Sequence, residues 1–418
     1  MDKIIIEGKA DLFGSIKVNG SKNAALPILV SSLLNEEDLE LNNLPKLEDV
    51  NNMKKLLSNF GVLLKDNSNN LILNAKNISN KVAHYDIVRK MRASILILGP
   101  LLSRFKKARI SLPGGCSIGT RPIDIHLEGL SKLGADFVIE NGLVVANVKN
   151  DLIGNYISLK FPSVGATENI LMASVFAKGK TIINNAAKEP EVVDLVKCLK
   201  SMGAKIVGEG TNNIQIEGVT KLNKSKYIIM SDRIVAGTYI IAAVMLNKAF
   251  EVKNIKYTFI NSLIELLLKM GANLEIKKNS IIIKPSLKLK GAKIETSPYP
   301  GFPTDLQAQI MALMSIVKGD SVIKETIFEN RFMHVSELNR LGADIKINKQ
   351  TAFIKGSREF KGAQVMASDL RASVSLVLAA MCASGETTIN RVYHLDRGYE
   401  KIEEKLGKCG PIIKRQNI

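Results

Sequence analysis

Cys116 stands in Leu112-Pro113-Gly114-Gly115-Cys116-Ser117-Ile118-Gly119-Thr120-Arg121-Pro122, between a strand-like run at 108–112 and a helical run near 124–132. A thiol five residues before a guanidinium can serve as an acid or a nucleophile, because a nearby cation favours the reactive thiolate. A lone loop cysteine is also inert in most chains, so both readings stand on the residues alone. Cys198, Cys382 and Cys409 fall in or beside helical runs and read as structural. The cysteines are far apart in sequence and the four histidines lack metal-ligand spacing, so neither a metal nor a redox pair is expected. Reduced thiols fit best.

A second group of reactive candidates is cationic. Lys22, Arg92, Arg233 and Arg371 stand at or just inside the starts of long apolar helical runs. A helix N-terminus is already partly positive, so a cation there is unfavourable by about 0.3–1 kcal/mol. Where free N–H groups and fixed cations converge, the result is an anion site. The competing explanation is ion pairing with neighbours such as Asp232 or Asp369. Asp305 opens a further run, where a first-turn acid is stabilising by itself. Arg397, in LDRGYEKIEE, has Glu400 as an equally plain partner.

Composition narrows the ligand class. The net charge is +18, with no tryptophan and only 5% aromatic residues. That supplies base-stacking platforms poorly, so small anions, or a lysine-rich solvated surface, are favoured over nucleic acid. No apolar run approaches the roughly 20 residues of a membrane span, so no membrane insertion is expected. The first 20 residues already carry Glu7 and Asp11 and do not read as a secretion signal. A cytoplasmic protein is expected, of oligomeric state unknown.

The elements that must position these residues repeat. Leu133-Gly134-Ala135, Met202-Gly203-Ala204, Met270-Gly271-Ala272 and Leu341-Gly342-Ala343 each end an amphipathic stretch, with weaker copies at Gly61 and Gly410. The intervals between these glycines are 73, 69, 68, 71 and 68 residues. Glycine there suits a left-handed helix cap. A strand hairpin follows, most plainly at Phe137–Glu140, Asn141-Gly142 and Leu143–Val148. Apolar helices keep the same period, starting near Lys22, Arg92, Gly165, Asp232, Asp305 and Asp369, and a helix apolar on nearly all sides is buried. Ser21, Ser231, Thr304 and Ser368 are the expected N-caps.

Each unit therefore reads as strand, buried helix, strand, amphipathic helix and hairpin, an α/β fold of six repeats. The sixth unit is short at its C-terminal end, and residues 4–22 match 281–300 and 353–371. The expected domains are 22–230 and a second made of 1–21 with 231–418, the chain passing between them twice and leaving a cleft.

SKNAALPIL, PGGCSIGTRPIDIHLEGL, FPSVGATENI, YPGFPTDLQAQ, FENRFMHVSEL, SDLRASVSLVLA and HLDRGYEKIEEKLG occur in that order. In these motifs the chain resembles the UDP-N-acetylglucosamine 1-carboxyvinyltransferases, of the enolpyruvyl transferase family. The resemblance implies two inside-out α/β barrel domains, each with threefold pseudosymmetry. It implies phosphoenolpyruvate and UDP-N-acetylglucosamine as substrates, phosphate release, and a place in peptidoglycan synthesis, hence in cell-wall biogenesis, cell shape and division. Lys22 and Asn23 would contact phosphoenolpyruvate. Arg92, Arg121 and Arg397 would hold its phosphate and carboxylate or guide closure. Cys116 would donate a proton and form an adduct with phosphoenolpyruvate, and the same thiol would attack the epoxide fosfomycin. Arg121, Pro122, Ile123, Asp124 and Ile125, with Ser163, Val164 and Gly165, would hold the uridine diphosphate. Asp305 and Ile327 would meet the sugar, Asp305 as base, with Arg331, Asp369 and Arg371 alongside. Phe161 departs from relatives with lysine there. The rival readings are the 3-phosphoshikimate 1-carboxyvinyltransferase of the same fold, which the Cys116 loop and the TRPID segment oppose, and a basic repeat protein binding nucleic acid.

Overall fold

The computed structural model describes residues 2–67, 70–80, 82–83, 85–89, 91–112 and 123–417. By contact these fall into two units, one of 20–112 with 123–230 and one of 2–19 with 231–417.

The described residues form six four-stranded sheets, three in each unit, all of one plan. In the sheet of the second repeat, Val82–Ala83 runs parallel to Lys107–Ser111, which pairs antiparallel with Leu143–Val148, which pairs antiparallel with Ala135–Glu140. Tyr156–Ser158, Lys180–Asn184, Asn213–Glu217 and Lys205–Val207 repeat it in the third. The expected hairpin is present, with Asn141 at φ 51° and Gly142 at φ 73°, the mirror-image turn that matches strand twist.

The sheets surround helices, which inverts the usual barrel. In the 20–230 unit the central helices are Lys22–Ser31, Leu98–Phe105 and Val164–Ser174. In the other they are Arg233–Leu246, Gln307–Ile316 and Leu370–Cys382, which pack on one another. All of Lys22–Ser31 except Asn23 is buried, and all of Gln307–Ile316 except Ile316. Each unit has its own apolar core of these helices and the inward-facing strand residues. Amphipathic helices such as Glu48–Phe60, Pro190–Ser201 and Asn261–Lys269 lie farther out. The repeat glycines Gly61, Gly134, Gly203, Gly271, Gly342 and Gly410 all have φ between 96° and 117°, where a Cβ would strain the turn.

Lys3–Glu7 lies between Glu386–Asn390 and Ile413–Gln416, antiparallel to both, with Ile4 opposite Ile389 and Arg415. Ser15–Lys17 joins a different sheet, parallel to Phe250–Lys253. Ser21 N–H donates to Met230 O at 2.7 Å, so Gly20 and Ser21 fall with the 20–230 unit.

Three expected caps are corrected. Asp232, not Ser231, caps Arg233–Leu246 by accepting from the Ile234 and Val235 N–H groups at 2.9 and 3.0 Å. Asp369, not Ser368, caps Leu370–Cys382, accepting from Arg371 and Ala372 at 2.8 and 3.0 Å. A carboxylate is the stronger acceptor for first-turn donors. Thr304 opens a 3₁₀ turn, Thr304–Leu306, and its hydroxyl donates to Glu325 instead. Arg92 likewise opens a 3₁₀ segment, Arg92–Ile97, before the α-helix begins at Leu98.

Candidate active site

In the 20–230 unit, Ser21 caps the first central helix, its hydroxyl accepting from Ala24 N–H at 3.4 Å. Lys22 follows directly, 8% exposed, with Nζ 3.4 Å from Asp49 Oδ2. Asp49 lies in the first turn of Glu48–Phe60 and is itself buried. The unfavourable cation is thus offset by a buried acid on the next helix, a partner the sequence reading did not name. Asn23 is half-buried beside it.

Helix Lys22–Ser31 packs on Arg92–Ile97, which packs on Val164–Ser174, which packs on Asp124–Lys132. The chain therefore brings the starts of several repeats together. His126 marks the junction. Its Nδ1 lies 3.1 Å from Asn169 Nδ2, while Asn169 also donates to Ile95 O at 3.0 Å and accepts from Gly99 N–H at 2.6 Å. Asn169 Nδ2 is a donor, so His126 Nδ1 accepts and the proton resides on Nε2. Burial, and then the Arg92 charge, push this imidazole down to about 4, with Asp124 pulling the other way. His126 packs against Gly165, where a Cβ would come within 3.1 Å of the ring.

Ser163 caps Val164–Ser174 by accepting from Ala166 N–H at 3.3 Å. The Val164 and Gly165 N–H groups, as first-turn donors, have no partner within the helix itself. Ile123 precedes Asp124–Lys132, with Asp124 in the first turn and Ile125 half-buried. Phe161 is exposed, and the neighbouring Lys160 pairs with Glu128 at 2.9 Å. Cys116, Arg121 and Pro122 lie outside the described residues.

In the other unit, Asp305 sits in the Thr304–Leu306 turn. Its Oδ1 accepts from Arg331 and its Oδ2 from Arg371, each at 3.0 Å. Both guanidiniums are 4% exposed. Arg371 thus pairs with Asp305, whereas Asp369 is the helix cap. Glu325, buried, accepts from Thr296 Oγ1, Thr304 Oγ1 and Ile327 N–H, each at 2.9 Å, and from Phe328 N–H at 3.2 Å. One carboxylate therefore fixes both the Asp305 turn and the Ile327 segment. Arg331 lies with Cζ 5.6 Å from the Phe328 ring centre. Arg397, half-buried, follows the short helix Tyr393–Asp396. His394 is pushed down by burial first and by Arg397 next, against Asp369, so Arg397 and Asp369 both neighbour that ring. Glu400 accepts from Asn19 Nδ2 and from Lys405.

Asp49, His126, Asn169 and Glu325 were missed in the sequence. Asn169 carried a signal, being one of a short polar group, Thr167 to Asn169, inside an otherwise apolar helical run. Asp49 and Glu325 carried none, because their partners are distant in the chain.

The fold matches solved enolpyruvyl transferases. NikO from Streptomyces tendae superposes with a TM-score of 0.90 at 21% identity, covering 100% of this chain and 99% of that one. An EPSP synthase from Acinetobacter baumannii gives 0.78 at 19%, covering 100% of both. The sequence profile of EPSP synthase (3-phosphoshikimate 1-carboxyvinyltransferase) matches residues 6–406. Fold and profile together define the enolpyruvyl transferase class. Within it, relatives named UDP-N-acetylglucosamine 1-carboxyvinyltransferase from Pelagibacter ubique and Bartonella henselae are each 51% identical over 100% of both chains. One from Paramagnetospirillum magneticum is 49% identical over 99% of this chain and 98% of its own. The chain belongs to the UDP-N-acetylglucosamine 1-carboxyvinyltransferase family.

Proposed function

We propose that this chain transfers the enolpyruvyl group of phosphoenolpyruvate to the 3-hydroxyl of UDP-N-acetylglucosamine, releasing inorganic phosphate in the first committed step of peptidoglycan synthesis. The observation that carries the proposal is full-length identity of about half to relatives bearing that enzyme's name. The nucleotide sugar and phosphoenolpyruvate are cytoplasmic metabolites, which supports a cytoplasmic location. Among the described residues no helix is long and apolar enough to cross a membrane.

A sugar hydroxyl is a weak nucleophile, and C2 of an enol phosphate becomes electrophilic only when C3 gains a proton. The reaction needs an acid at C3 and a base at the hydroxyl. Cys116 is assigned the acid and Asp305 the base. The hydroxyl oxygen bonds to C2, giving a tetrahedral phosphate adduct. Loss of a C3 proton then expels phosphate and restores the double bond. Lys22, Asn23, Arg92, Arg121 and Arg397 are assigned to the anionic donor, where fixed cations stabilise phosphate before and after it leaves. Ile123 to Ile125 and Ser163 to Gly165, with Arg121 and Pro122, are assigned to the uridine diphosphate, which the open N-terminus of Val164–Ser174 suits. Ile327, Arg331, Asp369 and Arg371 are assigned to the sugar side. Asp305 bridges two guanidiniums, those of Arg331 and Arg371.

The test is phosphate release from phosphoenolpyruvate with UDP-N-acetylglucosamine compared against shikimate 3-phosphate. Release with the nucleotide sugar alone is expected. Release only with shikimate 3-phosphate would replace this reading with that of the sister enzyme.

A further inference from the structure

Tyr399 follows Arg397 in the RGYE motif and is 1% exposed. Its hydroxyl lies 2.9 Å from Thr238 Oγ1, 3.4 Å from Arg371 Nη1 and 3.4 Å from Gln309 Nε2. Gln309 Nε2 also donates to the backbone oxygen of Asp305 at 3.0 Å and to Thr238 Oγ1 at 3.2 Å. Thr238, Gln309 and Arg371 come one each from the three central helices of this unit.

The hydrogens can be placed by elimination. Thr238 spends its one hydroxyl proton on Ile234 O at 2.9 Å, so its oxygen can only accept from Tyr399. The Tyr399 proton then points at Thr238, which leaves the phenol's lone pairs facing the N–H groups of Arg371 and Gln309, the two Gln309 Nε2 hydrogens being shared among Asp305 O, Thr238 Oγ1 and Tyr399. Arg371 is thereby held between two acceptors, Tyr399 through Nη1 and Asp305 through Nη2. Close approach makes this possible: a Cβ on Gly398 would come within 2.5 Å of the Leu370 side chain, the residue just before Arg371.

We propose that Tyr399 is a positioning residue for the reaction: its oriented hydroxyl, anchored on Thr238, fixes the Arg371 guanidinium and through it one oxygen of the Asp305 carboxylate. The inference rests on the assignment of Asp305 as base. It deepens that assignment by naming what sets the base's aim and strength. The network has a single donor direction, so it holds Arg371 in one pose.

The test is Tyr399→Phe, which keeps the ring and removes only the hydroxyl, measured by kcat, KM for both substrates and the pH dependence of kcat. Displacements near 1 Å at reacting groups cost up to about 100-fold. A fall in kcat of about 10- to 100-fold is therefore expected, with KM for the nucleotide sugar changed far less. The acid limb of the kcat profile should move to higher pH, because a loosened guanidinium depresses the carboxylate less. A filler of space would leave that limb in place. Thr238→Val should reproduce the shift, Thr238→Ser should restore wild-type behaviour, and Tyr399→Phe with Thr238→Val together should be no worse than the worse single variant. If Tyr399→Phe does not fold, the Thr238 pair decides alone. Wild-type kcat and an unmoved acid limb in Tyr399→Phe, with Asp305→Asn inactive, would overturn the proposal. Full activity in Asp305→Asn would instead remove Asp305 as base, whatever Tyr399 does.

Discussion

Lys22 and Asp49 form an ion pair inside the 20–230 unit, Nζ 3.4 Å from Oδ2, with side chains 10% and 4% exposed. Removing one partner of a buried pair typically costs about 3–5 kcal/mol, because the other charge is left uncompensated. Asp49→Ala should therefore melt well below the wild type. If Lys22 also binds the donor's anion, phosphoenolpyruvate should recover more of the melting temperature in Asp49→Ala than it adds to the wild type. Equal increments in the two proteins would separate Lys22 from the donor.

His126 predicts a pH dependence of stability. Its folded value is about 4 against an ordinary 6.5, so it is neutral in the fold while the unfolded chain takes up a proton between those limits. Stability from this residue is fully present above pH 6.5 and is lost as pH falls toward 4, by about 3 kcal/mol at most. Asp194 works the other way: burial raises it to about 6 against the Tyr227 and Met230 hydrogen bonds. The informative quantity is therefore the wild type minus His126→Asn, a substitution that keeps an acceptor for Asn169. Urea unfolding at pH 7, 5.5 and 4.5 should show that difference shrinking as the pH drops. A constant difference would mean that the imidazole titrates normally.

Arg397→Ala should weaken phosphoenolpyruvate turnover far more than uridine nucleotide binding. Arg397 follows the sixth repeat's helix Tyr393–Asp396, whereas the segments assigned to uridine diphosphate belong to the second and third repeats. Steady-state kinetics beside calorimetric titration with UDP would decide it, and equal losses would count against the assignment.

Cys116 should behave as a proton donor. Cys116→Ser should bind substrates yet lose most turnover, since a hydroxyl is too weak an acid. Cys116→Asp should keep substantial activity with a lower pH optimum, and should escape inactivation by an epoxide that resembles phosphoenolpyruvate. Burial pushes Cys382 up to about 12 and raises Cys198 and Cys409 as well, so these three should remain unlabelled. Mass spectrometry of epoxide-treated protein would show the adduct. Modification of another cysteine, or full activity in Cys116→Ser, would take Cys116 out of the mechanism.

Much of the architecture was legible because it is local and repeated. The turn glycines, the Asn141-Gly142 hairpin and the apolar helices each announce themselves within a dozen residues, and six copies leave little room for accident. Cap positions were less legible, since Ser231-Asp232 and Ser368-Asp369 offer two adjacent cap-forming residues, and only the backbone geometry selects the aspartate. The partners of the cations were not legible at all. Lys22 meets Asp49 across two helices, and Arg371 meets Asp305 although Asp369 stands two residues away. Periodicity says that a helix is buried, but not which distant acid its end will face.

The strand Lys3–Glu7 is central in its sheet, between Glu386–Asn390 and Ile413–Gln416. The ribosome makes it long before either neighbour. The described strands of 20–230 have all their sheet partners within that span and can condense while synthesis continues. The sheet of Lys3–Glu7 must wait, with an apolar Ile4–Ile6 strand unpaired until residues 386–416 have been made. Pairings this distant in sequence make for slow folding and for exposed edges during the delay. Refolding should therefore show the 20–230 unit recovering first, and chaperone dependence should concentrate on the unit that joins 2–19 to 231–417.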